Sequence, residues 1–457
     1  MTADVAAIVL AAGKGTRFRS ATAKVLHRAA GRSLLAHVLE AVRPLGLGQV
    51  LVVVGHQAEE VAGEVAACGL DNSSTVLQAE QRGTGHAVQQ AMPALDPGIR
   101  RVLVLPGDTP LLTAERLERL LAAGQRGGAL LSARMEDPTG YGRVVRTDDG
   151  SVARIVEHRD ADAEELAIDE INAGMYLLDR TRLEEALAQL GDDNAQGELY
   201  LTDVVELLAA GPTPVAPLLT AADEVAGVND RSQLAAAAAM LRRAHLERLM
   251  CEVGVSITDP ATTYVDVDVE VGPDAVLLPG TILESGTAVG ARSVIGPHTH
   301  LSNCVVGADA VVHSTRGSDA VVGDGASVGP FTHLRPGTQL GRATKVGAFA
   351  ETKNAVIGSD SKVPHLAYVG DATVGERVNI ACGVITVNYD GRTKSHTTIE
   401  DGAFVGCDTM LVAPVTIGPG AYTAAGSTIT DDVPPGALAI ARSRQSTKEG
   451  WAERRRS

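Results

Sequence analysis

The run VGPDAVLLPGTILESGTAVGARSVIGPHTHL, residues 271–301, decides the fold. Aliphatic residues recur at every sixth position: Val271, Leu277, Leu283, Val289, Ile295 and Leu301. The spacing returns in a second register at Val322, Val328, Leu334, Leu340 and Val346, and in a third at Ile399, Val405, Leu411 and Ile417. Glycine often follows the aliphatic residue (Gly272, Gly290, Gly296, Gly323, Gly329, Gly341, Gly347), and small residues often fall three positions later. A hexapeptide period is the signature of a parallel β-helix. Each step supplies one flat face of a triangular coil, with the aliphatic side chain inward. Glycine and small residues are expected to permit the tight corners, and the coils stack through backbone hydrogen bonds.

The frame slips by one between Leu301 and Val306, Thr352 and Ile357, and Val369 and Val374. The stretch NYDGRTKSHTT, residues 388–398, cannot fit the coil at all. Insertions in a solenoid emerge as loops on one face, often the binding face. That loop is a functional candidate on its sequence alone.

Upstream of this region the pattern is different. Val5–Leu10, Val50–Val54 and Val102–Leu105 are short aliphatic runs, separated by amphipathic stretches such as Leu34–Val42 and Ala114–Ala123. That alternation predicts βαβ units around a mostly parallel sheet. Ser232–Met250 (SQLAAAAAMLRRAHLERLM) has high helix propensity and neither Gly nor Pro, which predicts one connecting helix.

Composition limits the function. The 457 residues include 49 Gly but only 4 Phe, 7 Tyr and 1 Trp, so a large core must be built from Val, Ile, Leu and Ala. A formal charge of −16 argues against broad nucleic-acid binding while leaving room for local phosphate sites. Cys68, Cys251, Cys304, Cys382 and Cys407 are odd in number, dispersed and without a CxxC pair. That argues against a disulfide framework and a zinc site and favours a reducing compartment. No basic leader precedes the first apolar run, and no 18-residue apolar stretch suggests a membrane span. The expectation is a cytoplasmic protein.

The segment Leu10-Ala-Ala-Gly-Lys-Gly-Thr-Arg17 follows an apolar strand and precedes a segment expected to be helical. Gly13 and Gly15 would allow close backbone approach to a ligand, while amides at a helix start suit anions. Lys14 and Arg17 add positive charge. The Walker spacing is missing, so this is not a P-loop, and taken alone the run also reads as an ordinary strand-to-helix turn.

The full run LAAGKGTRF followed by Lys24-Val-Leu is more specific, and it resembles the nucleotide loop of sugar-phosphate nucleotidyltransferases. Further matching segments come in order: QAEQRGTGH from Gln78, GDTPLL from Gly107, GYGR from Gly140, VEH from Val156, EINAG from Glu170 and GVN from Gly227. With the hexapeptide region, the whole chain resembles the bacterial family of bifunctional N-acetylglucosamine-1-phosphate uridyltransferase/glucosamine-1-phosphate N-acetyltransferases. The resemblance implies a Rossmann-like mixed sheet at residues 1–230, a helical linker at 231–251 and a left-handed parallel β-helix at 252–457 that ends in a tail. It also implies a homotrimer serving cell-envelope synthesis.

For the first half it implies attack of N-acetylglucosamine 1-phosphate on the α-phosphate of UTP, with release of pyrophosphate. Two polyanions must meet, so charge neutralisation and alignment are the main demands. Mg2+ would be held by Asp108 and Asn229, with phosphates and water completing its oxygen shell. Arg17 and Lys24 would steady the triphosphate. Leu10, Ala11, Ala12, Gly13, Gln78, Gly83 and Thr84 would hold the uridine side, with Pro106 and Gly107 beside the aspartate. Gly142, Glu157 and Asn172 would bind the sugar. Ala23 stands where the family often has Pro, and Pro106 where it often has Tyr. Neither departure removes a charge or a metal ligand.

For the second half it implies acetyl transfer from acetyl-CoA to glucosamine 1-phosphate. A base must take a proton from the attacking amine, and histidine suits that near neutral pH. His365, in SKVPHLAY, matches the family's catalytic segment. Arg335 and Lys353 would bind the sugar phosphate, Tyr368 and Asn379 the sugar, and Glu351 would orient the histidine side. Cys382, Asn388, Tyr389, Cys407, Ala425 and Arg442 match the acetyl-CoA side. Cys382 replaces a family Ala and Cys407 a family Ser, which exchanges a hydroxyl donor for a weaker thiol. Two other readings are a nucleotidyltransferase of other specificity with a passive β-helix, and a non-catalytic scaffold. The intact His365 segment and NYDG loop argue against the first; retention of Lys24, Asp108, Asn229 and His365 argues against the second.

Overall fold

The short aliphatic runs become the strands of one nine-stranded sheet: β1 (Val5–Leu10), β2 (Gln49–Val54), β3 (Ser73–Leu77), β4 (Arg101–Pro106), β5 (Gly128–Arg134), β6 (Arg143–Arg146), β7 (Val152–Val156), β8 (Glu170–Asp179) and β9 (Ala216–Thr220). The computed structural model describes residues 2–124, 127–211, 213 and 215–456. Met1 and Ser457, the outer ends of the two expected domains, lie outside the described residues. The sheet order is β9-β5-β8-β4-β1-β2-β3, with β6 and β7 as a side hairpin on β8. β1 runs parallel to both β2 and β4, and β2 parallel to β3, while β8 is antiparallel to β4 and β5. Strands buried on both faces need no polar alternation, which is why β1 and β2 read as unbroken aliphatic runs.

The amphipathic stretches form α1 (Leu34–Val42), α2 (Ala58–Ala67), α3 (Thr84–Ala91) and α4 (Ala114–Ala123). Ser33 caps α1 by accepting the Ala36 N–H at 3.0 Å, and Thr113 caps α4 through the Arg116 N–H. The face of α4 carrying Leu117, Leu120 and Leu121 is buried. One element departs from expectation. No α-helix follows the glycine loop: Thr16–Phe18 and Lys24–Leu26 are single 3-10 turns, and the first α-helix begins at Leu34. Gly15 and Arg19 are both left-handed, so they stop the first turn at each end.

Contacts divide the chain into two compact units that meet between Leu241 and Arg242. That point falls inside a helix running Arg231–Arg248, followed by a π-helical turn at Leu249–Val253. Among the described residues no helix is long and apolar enough to cross a membrane.

The second unit is a parallel β-helix. Short strands pair one coil on, Val276 with Val294, then Val294 with Val311. They form an 11-stranded sheet and a 17-stranded sheet that wraps the remaining faces. Leu277, Leu283, Ile295, Leu301, Val328 and Leu411 all point into one continuous aliphatic core. The one-residue slips do not disturb it, because Val306, Ile357 and Val374 remain inside. The repeat glycines have two roles: Gly296 and Gly329 take positive φ at corners as expected, and others serve spacing. Many left-handed corners are held by other residues, such as Asp274, Arg292 and Asp309. At Gly272 and Gly341 the reason for glycine is space, since a Cβ would lie 2.6 Å from Ala291 N and 2.8 Å from Ser359 N on the next coil. These glycines set how closely coils approach.

Candidate functional site

In the first unit the loop after β1 hangs between the ends of its two parallel neighbours. Ala11 N–H donates to Val53 O at 2.9 Å, and Gly107 N–H to Leu10 O at 2.9 Å. This is the carboxyl edge of the parallel strands, where open α/β sheets bind ligands. A cleft of about 640 Å³ opens there. Leu10, Ala11, Ala12, Gly13, Lys24, Gln78, Gly83, Thr84, Pro106, Asp108, Glu157 and Asn172 all line it. A Cβ on Gly13 would meet nothing within 4 Å, so that backbone is open to a ligand. Gly15 has a different role: its Cβ would lie 2.6 Å from Lys24 Cβ, so it clears room for the lysine.

Lys24 Nζ contacts Asp108 Oδ2 and lies 3.2 Å from Asn229 Oδ1. Arg17 Nη2 donates to the same Asn229 oxygen at 2.9 Å. Val228 N–H donates to Asp108 O at 2.9 Å, which ties the GVN segment to the GD turn. Asn229 directs its amide nitrogen back to Gly227 O, leaving its oxygen toward the cations. Asp108 and Asn229 thus point two oxygens at one positive group. That donor set fits Mg2+, which takes one or two protein oxygens and fills its shell with phosphate and water.

Asn172 lies on a β-bulge of β8 between Asn172 and Tyr176. The bulge turns its amide to donate to Tyr176 Oη at 2.6 Å. Glu157 accepts the Thr202 hydroxyl at 3.1 Å, and burial pushes its carboxyl above the ordinary range. Burial also raises Tyr176. Gly142 lies outside the cleft wall but supports it, because its carbonyl accepts the Asn172 N–H at 2.9 Å. Gly107 supports it likewise through Leu10. Tyr176, Thr202 and Glu198 line the cleft and were not singled out from sequence. Glu198 and Thr202 fall in the GELYLTD run at 197–203 and Tyr176 two residues beyond the EINAG segment, outside the motifs that the resemblance rests on.

In the second unit the expected residues fall into two groups. On the 17-stranded sheet, Arg335 Nη1 donates to Glu351 Oε1 at 2.8 Å, and Glu351 pairs with Tyr368 on the next coil. Lys353 pairs with Gly370 on the same two strands. Asn388 lies 3.5 Å from Tyr368 Oη and also donates to Asp371. Asp371, missed in the sequence, accepts Asn354 Nδ2 at 2.7 Å. Burial opposes its ionisation, but the Asn354 and Asn388 hydrogen bonds and the charges of Lys353 and Lys394 hold it below the ordinary carboxylate range. Lys353 beside it keeps Lys394 below the usual lysine range.

The other group is a column along one corner. His365 closes the strand Lys362–His365 and is exposed. Lys362 pairs with Asn379 before this corner, and Tyr368 with Ile385 after it, so Cys382 stands one coil beyond His365. The pairs Asn379–Phe404 and Ile385–Met410 place Cys407 next. Phe404–Tyr422 and Met410–Thr428 place Ala425 after that. Arg442 Cδ approaches Gly426. Successive coils are about 4.8 Å apart, so the column is a straight track. Asn379 lies on the 11-stranded sheet and does not join the Arg335 group. Among the described residues no hydrogen bond joins His365 to Glu351. The insertion emerges between Val387 and Thr397 as an exposed loop pinned by a Tyr389–Lys394 bridge.

Comparison with known proteins gives matches to both units. Residues 7–206 match the MobA-like NTP transferase domain family, and residues 396–431 match the bacterial transferase hexapeptide family, described as six repeats. The chain is 50% identical to a Corynebacterium efficiens protein named "Bifunctional protein GlmU", over 99% of this chain and 94% of that one. It is 49% identical to the protein of the same name from an Exiguobacterium species, over 98% and 99% of the two chains. It is 51% identical to the one from Mycolicibacterium gilvum, over 99% and 92%.

Proposed function

The chain belongs to the family of bifunctional GlmU proteins, and from that premise we propose how its residues divide two reactions. The enzyme makes UDP-N-acetylglucosamine: it transfers acetyl from acetyl-CoA to glucosamine 1-phosphate, then uridylyl from UTP to the N-acetylated sugar phosphate. Residues 1–230 carry uridylyl transfer, 231–251 link, and 252–457 form the left-handed β-helix that carries acetyl transfer. The observation supporting this division is that the two sets of candidate residues gather in separate compact units.

In the first unit Lys24 and Arg17 bind triphosphate oxygens and neutralise charge as the sugar phosphate attacks. Asp108 and Asn229 hold Mg2+, which when bound screens the phosphates and orients them for in-line transfer. Gln78, Gly83 and Thr84 seat the uridine, and Glu157 and Asn172 the sugar. No residue need act as nucleophile, because the substrate phosphate does that work.

In the second unit Arg335 and Lys353 hold the phosphate, and Tyr368 the sugar. His365 takes the amine proton as nitrogen attacks the thioester. The corner track beyond it, Cys382, Cys407, Ala425 and Arg442, carries the extended coenzyme, with the Asn388–Tyr389 loop beside it. An exposed base on a convex corner needs a second wall, which a homotrimer supplies; a monomer by light scattering overturns that arrangement. Five free cysteines suit the cytoplasm.

The test is a coupled assay of the full chain with glucosamine 1-phosphate, acetyl-CoA, UTP and magnesium, repeated with Asp108→Ala and His365→Ala. Each substitution is expected to stop one half-reaction and spare the other. Loss of both, with the fold retained, overturns two independent sites.

A further inference from the structure

Cys382 and Cys407, both replacements of the family pattern, stand on consecutive coils of the same corner. The pair Asn379–Phe404 before the corner and the pair Ile385–Met410 after it share one offset, so Cys382 lies opposite Cys407. Backbone hydrogen bonds close on the two residues: Ala381 N–H to Val405 O at 2.9 Å, and Asp408 N–H to Cys382 O at 2.8 Å. Ladder neighbours lie about 4.8 Å apart, within the roughly 4.4–6.8 Å between Cα atoms that a disulfide spans. Cys407 is exposed and Cys382 half-buried, and both are free thiols. Cys304, by contrast, is sealed in the β-helix core.

We propose that Cys382 and Cys407 form a reversible thiol–disulfide pair, a modification site whose oxidation closes the acetyl-donor track. The oxidant is a low-molecular-weight disulfide. The thiolate of Cys407, the more accessible sulfur, attacks one sulfur of that disulfide and expels a small thiolate. The Cys382 thiolate then attacks the mixed disulfide at Cys407 Sγ and expels the second small thiolate. One S–S bond forms in the protein as one breaks in the oxidant, and the two cysteine protons end on the released thiols. In-register neighbours hold their Cβ atoms farther apart than the roughly 3.8 Å of a relaxed bridge. The bond therefore forms under strain, and strained exposed disulfides are the readily reduced ones. The bond itself depends only on the fold; its effect on acetyl transfer rests on the coenzyme placement proposed above.

The test uses the full-length protein incubated with oxidised glutathione and then freed of it. The expected result is loss of two titratable thiols and a tryptic peptide pair joined through Cys382 and Cys407, which cleavage at Arg392 and Lys394 otherwise separates. Acetyl transfer should fall at least tenfold with uridylyl transfer unchanged, and dithiothreitol should restore it. Cys407→Ser, compared with its own reduced activity, should lose the oxidant response, whereas Cys382→Ala should stop at a single glutathione adduct on Cys407 and give no joined peptide. Glutathione adducts without the joined peptide overturn the pair. A joined peptide with undiminished acetyl transfer overturns the closure of the track. If the reduced protein transfers no acetyl group, the functional reading fails, while the joined peptide still decides the thiol pair.

Discussion

Replacing Thr202 with Val tests the sugar end of the first cleft most sharply. The substitution keeps the branched shape and removes one hydroxyl, whose single described role is donation to Glu157 Oε1 at 3.1 Å. A hydrogen bond to a charged group contributes about 1.5–3 kcal/mol, or roughly 10- to 150-fold in an equilibrium. Glu157 is half-buried, so water replaces part of the lost donor, and the lower end of that range applies. The expectation is a rise of about tenfold in KM for N-acetylglucosamine 1-phosphate, with a smaller change in KM for UTP. The pH response carries the same logic. Burial already raises the Glu157 pKa, and the Thr202 bond works against that rise. Its loss moves the pKa further up, so the acid limb of kcat/KM should shift to higher pH. The stability of this group follows. A carboxyl whose folded pKa exceeds its unfolded value adds stability at low pH that disappears as pH rises through the folded pKa. Thr202→Val should therefore lower Tm more at pH 8 than at pH 4. The assay is pyrophosphate release across pH 5–9, with calorimetry alongside. An unchanged sugar KM with an unchanged acid limb refutes the role given to Glu157.

Three further outcomes are expected. Chelation with EDTA should stop uridylyl transfer and leave acetyl transfer running, with recovery on adding magnesium; equal loss of both refutes the separate metal site. Gly83→Ala places a Cβ at φ +107°, 2.5 Å from Leu199 O, which should cost about 1–3 kcal/mol in backbone strain alone and lower the unfolding midpoint of the first unit by several degrees in calorimetry. Leu411→Ala empties part of the β-helix core and should cost about 2–5 kcal/mol, read as a lower urea midpoint with uridylyl transfer intact.

What could be read in advance follows from how local each cause is. The hexapeptide period is written in every coil, because each inward position needs its own aliphatic residue. β1, β2 and β4 were legible for a similar reason, since strands buried on both faces are aliphatic throughout. Lys24, Asp108 and His365 stood out because each sits in a short, distinctive run. Thr202 and Asp371 did not. Each acts on a partner far away in sequence, Glu157 and Asn388 respectively, and nothing near either residue marks that distant contact. The glycine loop misled in a different way. Its strand-then-glycine pattern suggested a helix start, but left-handed Gly15 and Arg19 limit it to a single turn. The repeat glycines serve the corners as expected at Gly296 and Gly329, while the crowding between coils that calls for glycine at Gly272 and Gly341 is invisible in one dimension.

The NYDG insertion carries a consequence for how such a chain can change. Ala372 pairs with Thr397 across the insertion, while Thr397 pairs with Val415 at the ordinary coil spacing. The ladder resumes in register on the far side, as though the extra residues were absent. The exposed stretch Tyr389–Lys394 therefore behaves as a cassette between the anchored Asn388 and His396: it can be shortened, lengthened or exchanged while the coils above and below keep their pairing.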